Sequence, residues 1–334
     1  MDIRAPKFLK DGDVLAAVAP SAGASDADGR LRVDTGIKNL ENLGFKVVHG
    51  DGIYGDDGEC GSAPAKNRAE EFMRAYESNC DGIISVAGGE LMCEILPFID
   101  FEKISKLPPK WFMGFSDNTN LTFTLTTLCG IQSIYGPCLG QFGPAPLSPD
   151  CADAIRMLRG ERHFEGYPMW QRDWTENPLA QLNLTEKKVI KPVGYKAHFN
   201  GILLGGCLDC LVNLCGTKFD RVREFIHSAD APIVWYLEDC DLNSLSIRRA
   251  LFELREAGWF ETASGFIFGR PLAPYLQDRE QDSTMAILPI LKDLNLPILI
   301  DVDLGHFPPA MPFRNGAKAE VSLVDGNLVV DYLE

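Results

Sequence analysis

The chain has 334 residues, 46% of them hydrophobic and 24% charged, with a formal net charge of −15. At roughly 100–200 residues per domain this length suggests two domains, and the composition is that of an ordinary globular chain with ample core. The negative balance, with no basic stripe, argues against a nucleic-acid partner, because phosphate binding needs concentrated Lys and Arg.

No apolar run reaches the roughly 18 residues that would span a bilayer. The opening Met1-Asp2-Ile3-Arg4-Ala5-Pro6 lacks the charged-then-apolar layout of a signal peptide. The expected location is therefore the cytoplasm, with no membrane partner. The ten cysteines fit that location as reduced thiols, and Cys93, Cys129, Cys207 and Cys215 lie inside apolar runs. Cys207 and Cys210 form a lone CxxC with no second pair and no His at ligand spacing, which favours structural thiols over a zinc or redox site.

Along the chain, residues 14–20 read as a strand entering a turn at Ser21-Ala22-Gly23. Residues 28–43 have apolar positions at helical spacing and end at Gly44, a C-terminal cap. Strands follow at 45–48, 81–87 and 111–114, with helices at 65–76, 91–96 and 121–129. Strands alternating with helices indicate an α/β fold with a parallel sheet covered on both faces. Ligands sit at the carboxyl ends of such strands, where three short turns fall: Pro20 to Gly23, Gly88-Gly89-Glu90 and Gly114-Phe115-Ser116-Asp117.

Residues 143–195 carry Pro144, Pro146, Pro149, Pro168, Pro178 and Pro192 together with Trp170 and Trp174, and read as a connecting region with little regular structure. The expected division is thus 1–142, the connection 143–195, and a second domain 196–334. In that domain strands are expected at 201–205, 233–237, 265–269 and 297–300, with helices at 207–214 and 244–257. A hairpin at 319–323 and 328–332 turns on Asp325-Gly326.

Three residues at strand ends could carry chemistry. Ser116 lies on a sharp strand-to-helix turn, which exposes a hydroxyl beside backbone N–H groups able to hold an oxyanion. The α/β-hydrolase elbow has a second glycine where this chain has Asn118, and a serine here could equally cap the helix. His306 sits in a Gly- and Pro-bearing loop, as a base or as a buried structural imidazole. Glu238 ends an apolar strand, where a carboxylate needs a partner. A serine needs a base to take its proton, and the base needs an acid to fix its tautomer. The same region offers a weaker alternative, a metal site from Glu238, Asp239, Asp301, Asp303 and His306, whose spacing matches no ligand motif.

Taken in order, several motifs resemble the serine peptidase family of LD-carboxypeptidases and microcin C immunity proteins. They are Gly12-Asp13 through Ala19-Pro20-Ser21, Gly88-Gly89, 94–100, 114–119, Ile134-Tyr135-Gly136, Leu204-Gly205-Gly206, Gly216-Thr217, Leu237-Glu238-Asp239 and Gly305-His306. The resemblance covers nearly the whole chain. It implies a flavodoxin-like N-terminal domain and a smaller C-terminal α/β domain with the active site in the groove between them. It also implies Ser116 as nucleophile, Glu238 as acid, His306 as base, and the amides of Asp117 and Gly89 as oxyanion hole. A homodimer and a mechanism without metal or organic cofactor follow from the same likeness. The implied substrate is a small peptide, such as a peptidoglycan tetrapeptide, or a peptidyl or aminoacyl nucleotide.

Glu90 departs from what both branches of the family carry after the paired glycines, and so bears on substrate choice. Trp174 falls in a segment where immunity proteins place a Trp against the nucleotide base. Arg270, in Gly269-Arg270-Pro271, is the candidate grip for a substrate carboxylate. A non-catalytic two-domain binding protein is the rival from outside enzymology.

Overall fold

In the computed structural model, which describes residues 2–194, 198–273 and 283–333, two sheets carry the fold. The first contains, in spatial order, Phe313–Asn315, Ser133–Tyr135, Trp111–Gly114, Gly82–Ser85, Val14–Val18 and Lys46–His49. The last five run parallel, in the flavodoxin-like order. Their apolar runs VLAAV, GIIS and WFMG are almost fully buried, as strands covered on both faces must be. The sixth, Phe313–Asn315, comes from the far end of the chain and pairs antiparallel with Ser133–Tyr135.

The second sheet has eight strands. Its centre is parallel: His198–Cys207, Ile233–Glu238, Ala263–Gly269 and Ile298–Val302. The hairpin Lys318–Val324 and Asn327–Tyr332 extends it, with Asp325 (φ +49°) and Gly326 (φ +78°) in the turn. The buried core does not respect the division into halves. One apolar cluster joins Ile83, Phe112 and Phe123 to Ile202, Trp235 and Trp259, and the Phe123 and Trp259 rings stack at 5.3 Å.

The connecting region is more regular than its prolines suggest. Pro149–Leu158 is a helix, because Pro149 occupies the first turn, where its missing N–H costs nothing. Cys151, Ala154, Ile155 and Leu158 then bury one face. His163–Glu165 and Lys191–Val193 supply the two edge strands of the second sheet. The expected helix at 91–96 is a 3-10 helix over Met92–Phe98 containing Pro97, followed by an α-helix, Phe101–Lys106. No described helix is long and apolar enough to cross a membrane.

Candidate active site

The turn after Trp111–Gly114 is where the backbone leaves its ordinary range. Phe115 is extended, and Ser116 takes φ +62°, a left-handed conformation that costs a non-glycine residue about 1–2 kcal/mol. The chain then enters a 3-10 turn, Ser116–Asn118, and the buried helix Thr119–Cys129. Ser116 makes no helix-capping bond. Its Oγ lies 2.9 Å from His306 Nε2.

Asn118 stands where the hydrolase elbow has glycine, and it has a use there. Its Nδ2 donates to the carbonyls of Ala87 and Phe115, each at 3.0 Å, tying the elbow to the paired-glycine turn. Asp117 does the same from its side chain. It accepts from Ser21 Oγ, from the Met92 amide at 2.8 Å and from Asn120 Nδ2 at 3.0 Å. The Ala22 amide donates to the Gly88 carbonyl at 3.1 Å. The three turns expected at the carboxyl edge of the sheet are thus knitted together. Gly88 lies against the serine, since a Cβ built on it would sit 3.2 Å from Ser116 Cβ and 3.5 Å from Oγ.

The other partners arrive from the second sheet. Glu238 ends Ile233–Glu238 and is 1% exposed. Its Oε2 accepts from His306 Nδ1 at 2.8 Å, and its Oε1 accepts from the Tyr135 hydroxyl. A carboxylate can only accept, so the proton is fixed on Nδ1 and Nε2 is left to face the serine. The loop carrying His306 can lie on Glu238 only because Gly305 (φ +101°) has no side chain. A Cβ there would stand 2.6 Å from Glu238 Oε2.

The electrostatics follow from burial and pairing. Burial opposes ionisation of Glu238, but the His306 charge and hydrogen bonds from His306, Tyr135 and Cys207 outweigh it and hold the carboxyl below its ordinary value. Burial likewise opposes the imidazolium of His306. The Glu238 carboxylate beside it prevails and pushes His306 well above the usual histidine range. Asp117 is pushed up by burial, against the pull of its hydrogen bonds.

In the sequence, Tyr135 stands out only as part of a motif. It is buried at 2% exposure, donates to Glu238, and accepts the Ser116 amide at 2.9 Å, so it touches both ends of the array. Burial first, and Glu238 second, keep its hydroxyl protonated.

Two pockets open at this array, His306 lining the larger and Ser116 the smaller. A cleft of about 300 Å³ is lined by His306, Gly88, Phe115, Arg32, Asp150 and Trp174, the last 62% exposed. A smaller pocket of about 60 Å³ is lined by Ser116, Gly89 and Glu90 among others.

Arg270 is the sequence candidate that the structure places elsewhere. It is 1% exposed, paired with Asp303, with its guanidinium 4.9 Å over the Trp170 ring, and it lines neither pocket. A buried arginine beside a buried aspartate is held by that pair. The arginine that lines the cleft is Arg32. The five residues that could have formed a metal site have other partners or none in common. Asp301 holds Ser283 and Lys191, Asp303 holds Arg270 and the Tyr167 amide, and the described residues contain no metal-binding cluster.

This array can move a proton from a serine hydroxyl to an imidazole braced by a buried carboxylate, beside free turns of backbone. Comparison with known proteins gives the family. Residues 15–136 match the LD-carboxypeptidase N-terminal domain, and residues 200–321 match the C-terminal domain. The chain belongs to the LD-carboxypeptidase family. It is 25% identical to the microcin C7 self-immunity protein MccF of Escherichia coli, covering 96% of this chain and 94% of that one. It is also 25% identical to a probable murein peptide carboxypeptidase of Bacillus subtilis, over 98% of this chain and 94% of the relative. The fold matches the structure of MccF in complex with glutamyl sulfamoyl guanosine with a TM-score of 0.82, at 21% identity and 98% coverage of both chains.

Proposed function

We propose that this family member is a serine amide hydrolase that works through an acyl-enzyme. The observation that carries the reading is the unbroken hydrogen-bond chain from Glu238 through His306 to Ser116, with the serine on a left-handed elbow. His306 takes the Ser116 proton as Oγ attacks the amide carbonyl. The amides of Asp117 and Gly89, on the two turns that meet at the serine, receive the oxyanion. His306 then gives its proton to the leaving amine, and water, deprotonated by the same imidazole, releases the acyl group. Nucleophile, base and oxyanion donors all come from the chain, so a chelator is expected to leave the rate unchanged.

The substrate we assign is a peptidyl or aminoacyl nucleotide, with its nucleoside in the 300 Å³ cleft. Trp174 stands there as an exposed aromatic face, and Arg32 is the nearby cation for a phosphate. The related MccF binds an aminoacyl sulfamoyl nucleoside. A peptidoglycan tetrapeptide is the second reading, favoured by the same Arg32 as a grip for a terminal carboxylate.

A competition assay with both substrate types, products read by mass spectrometry, tests the assignment. Release of free nucleotide at the higher kcat/KM supports it, and preferential loss of the terminal residue from the tetrapeptide replaces it with the second reading. Full hydrolysis by Ser116→Ala would remove the serine mechanism, and binding without hydrolysis of either substrate by the native chain would leave a binding protein as the better account.

A further inference from the structure

The sequence alone favours Cys207 and Cys210 as structural thiols, but the fold gives the pair a different setting. All ten cysteines are free. Four of them, Cys93, Cys207, Cys210 and Cys240, line the smaller pocket, where Ser116 also stands. Through three of them sulfur reaches each member of the proposed array. Cys207 hydrogen-bonds Glu238, and Cys240 hydrogen-bonds His306. Cys210 Sγ lies 3.7 Å from the Ser116 carbonyl oxygen and 3.9 Å from Asp117 Oδ1.

The CxxC spacing turns two of these thiols into a pair. Cys207 ends the strand His198–Cys207, and Cys210 lies in the first turn of the helix Leu208–Leu214. Residues three apart around a helical turn stand about 5–6 Å apart, within the span of a disulfide. The two thiols are hydrogen-bonded to each other. That bond raises the Cys207 thiol and pulls the Cys210 thiol down, while burial and the nearby carboxylates leave both above the ordinary thiol range. The single Cys207 S–H therefore has three acceptors in reach: Cys210, Glu238 and Asp209 Oδ2, the last at 3.2 Å. A pocket of about 60 Å³ has room for roughly two water-sized molecules, so hydrogen peroxide can enter it and a peptide disulfide cannot.

We propose that Cys207 and Cys210 form a peroxide-sensing dithiol whose oxidation to a disulfide slows the reaction of Ser116. The Cys210 sulfur attacks one peroxide oxygen, the O–O bond breaks, and water leaves as the sulfur becomes a sulfenic acid. The Cys207 sulfur then attacks that sulfur, the S–O bond breaks, and a second water carries off the Cys207 proton. Two thiols are oxidised and one peroxide is reduced to two waters. Burial makes the first step slow, and the neighbouring thiol, already in contact, makes the second fast. The bridge takes the S–H donor from Glu238 and the other from the Ser116 carbonyl, so both ends of the array lose a hydrogen bond. The bridge itself does not depend on Ser116 being the nucleophile, but its effect on turnover rests on that reading.

The test treats the reduced full chain with hydrogen peroxide or with glutathione disulfide, then alkylates the remaining thiols in denaturant. Mass spectrometry assigns which cysteines escaped, and a fluorophosphonate reads the rate of adduct formation on Ser116. Peroxide is expected to protect Cys207 and Cys210 together and to slow labelling about tenfold, with dithiothreitol restoring both. Glutathione disulfide should do neither. In Cys210→Ser, and in Cys210→Ala should the serine disturb the fold, peroxide should leave the labelling rate within about twofold of that variant's own reduced value. The proposal falls if both thiols stay alkylatable after peroxide, if Cys93 or Cys240 supplies the bridge, or if the slowing survives in the Cys210 variants. A bridge that leaves labelling unchanged ends the sensing role. A folded, reduced chain that is never labelled removes the serine reading and the effect on turnover with it, while the alkylation pattern still decides the bridge.

Discussion

Glu238 and Tyr135 are sealed at strand ends and His306 is held by its bonds to Glu238 and the serine, while Trp174, Glu90 and Asp241 stand open to solvent around them. The first group is held by two sheets that share one core. The second sits on loops. Loops on a rigid scaffold can change side chains at little cost in stability, whereas a buried carboxylate cannot lose its partners without a penalty of several kcal/mol. The difference teaches that the proposed chemistry should be brittle and the choice of substrate tunable.

The sharpest break is at the serine. Ser116→Ala is expected to lower kcat by about 10⁶-fold while leaving substrate binding measurable, since the oxyanion donors and both pockets remain. Loss of binding along with turnover would show that the side chain holds the elbow's shape as well.

Next comes Glu238→Gln, expected to cost on the order of 10⁴-fold, because the amide can settle on the wrong imidazole tautomer. The pH profile carries a sign. Neutral His306 is the base, and Glu238 holds its pKa well above the ordinary value, so activity in the native enzyme is lost as pH falls through that raised value. Removing the carboxylate takes away the largest raising influence and leaves Cys240 alone against burial, so the acid limb of kcat/KM should move to lower pH. A limb that stays in place or moves up would mean that Glu238 does not set the titration of His306.

The sealed group is only partly legible in the sequence. The strands announce themselves as apolar runs such as VLAAV and IVWYLE, and the residues ending them follow. Tyr135 does not, because its value comes from a contact with Glu238, 103 residues away, that no local pattern encodes. Arg270 misleads for the same reason: nothing in Gly269-Arg270-Pro271 reveals that Asp303 occupies its charge. The edge strands His163–Glu165 and Lys191–Val193 are three residues each and exist through their pairing, so the prolines around them mask them in the sequence. At the open walls, Glu90 is visible as a departure. Asp209 and Asp241 become its neighbours only when Leu208–Leu214 and Ile233–Glu238 are brought to the same edge.

Tyr135→Phe probes that long-range contact. It removes a donor to a buried carboxylate and the acceptor for the Ser116 amide, so kcat should fall about ten- to a hundredfold and stability by about 1–3 kcal/mol. Denaturant midpoints give the second figure. An intact kcat with reduced stability would make Tyr135 a brace for the core with no influence on Glu238.

The smallest effect is expected on the open side, and it is the one that separates the two substrate readings. If Trp174 stacks on a base, Trp174→Ala should raise KM for an aminoacyl nucleotide about tenfold with kcat little changed, because base–aromatic stacking contributes roughly 1–3 kcal/mol. Trp174→Phe should recover part of the loss, since a smaller ring still offers a face. The same two variants acting on a peptide whose leaving amine has no aromatic group should show little change. An equal loss on both substrates would mean that Trp174 shapes the wall of the cleft, and would shift the assignment of that side of the serine from a nucleoside towards a plain peptide.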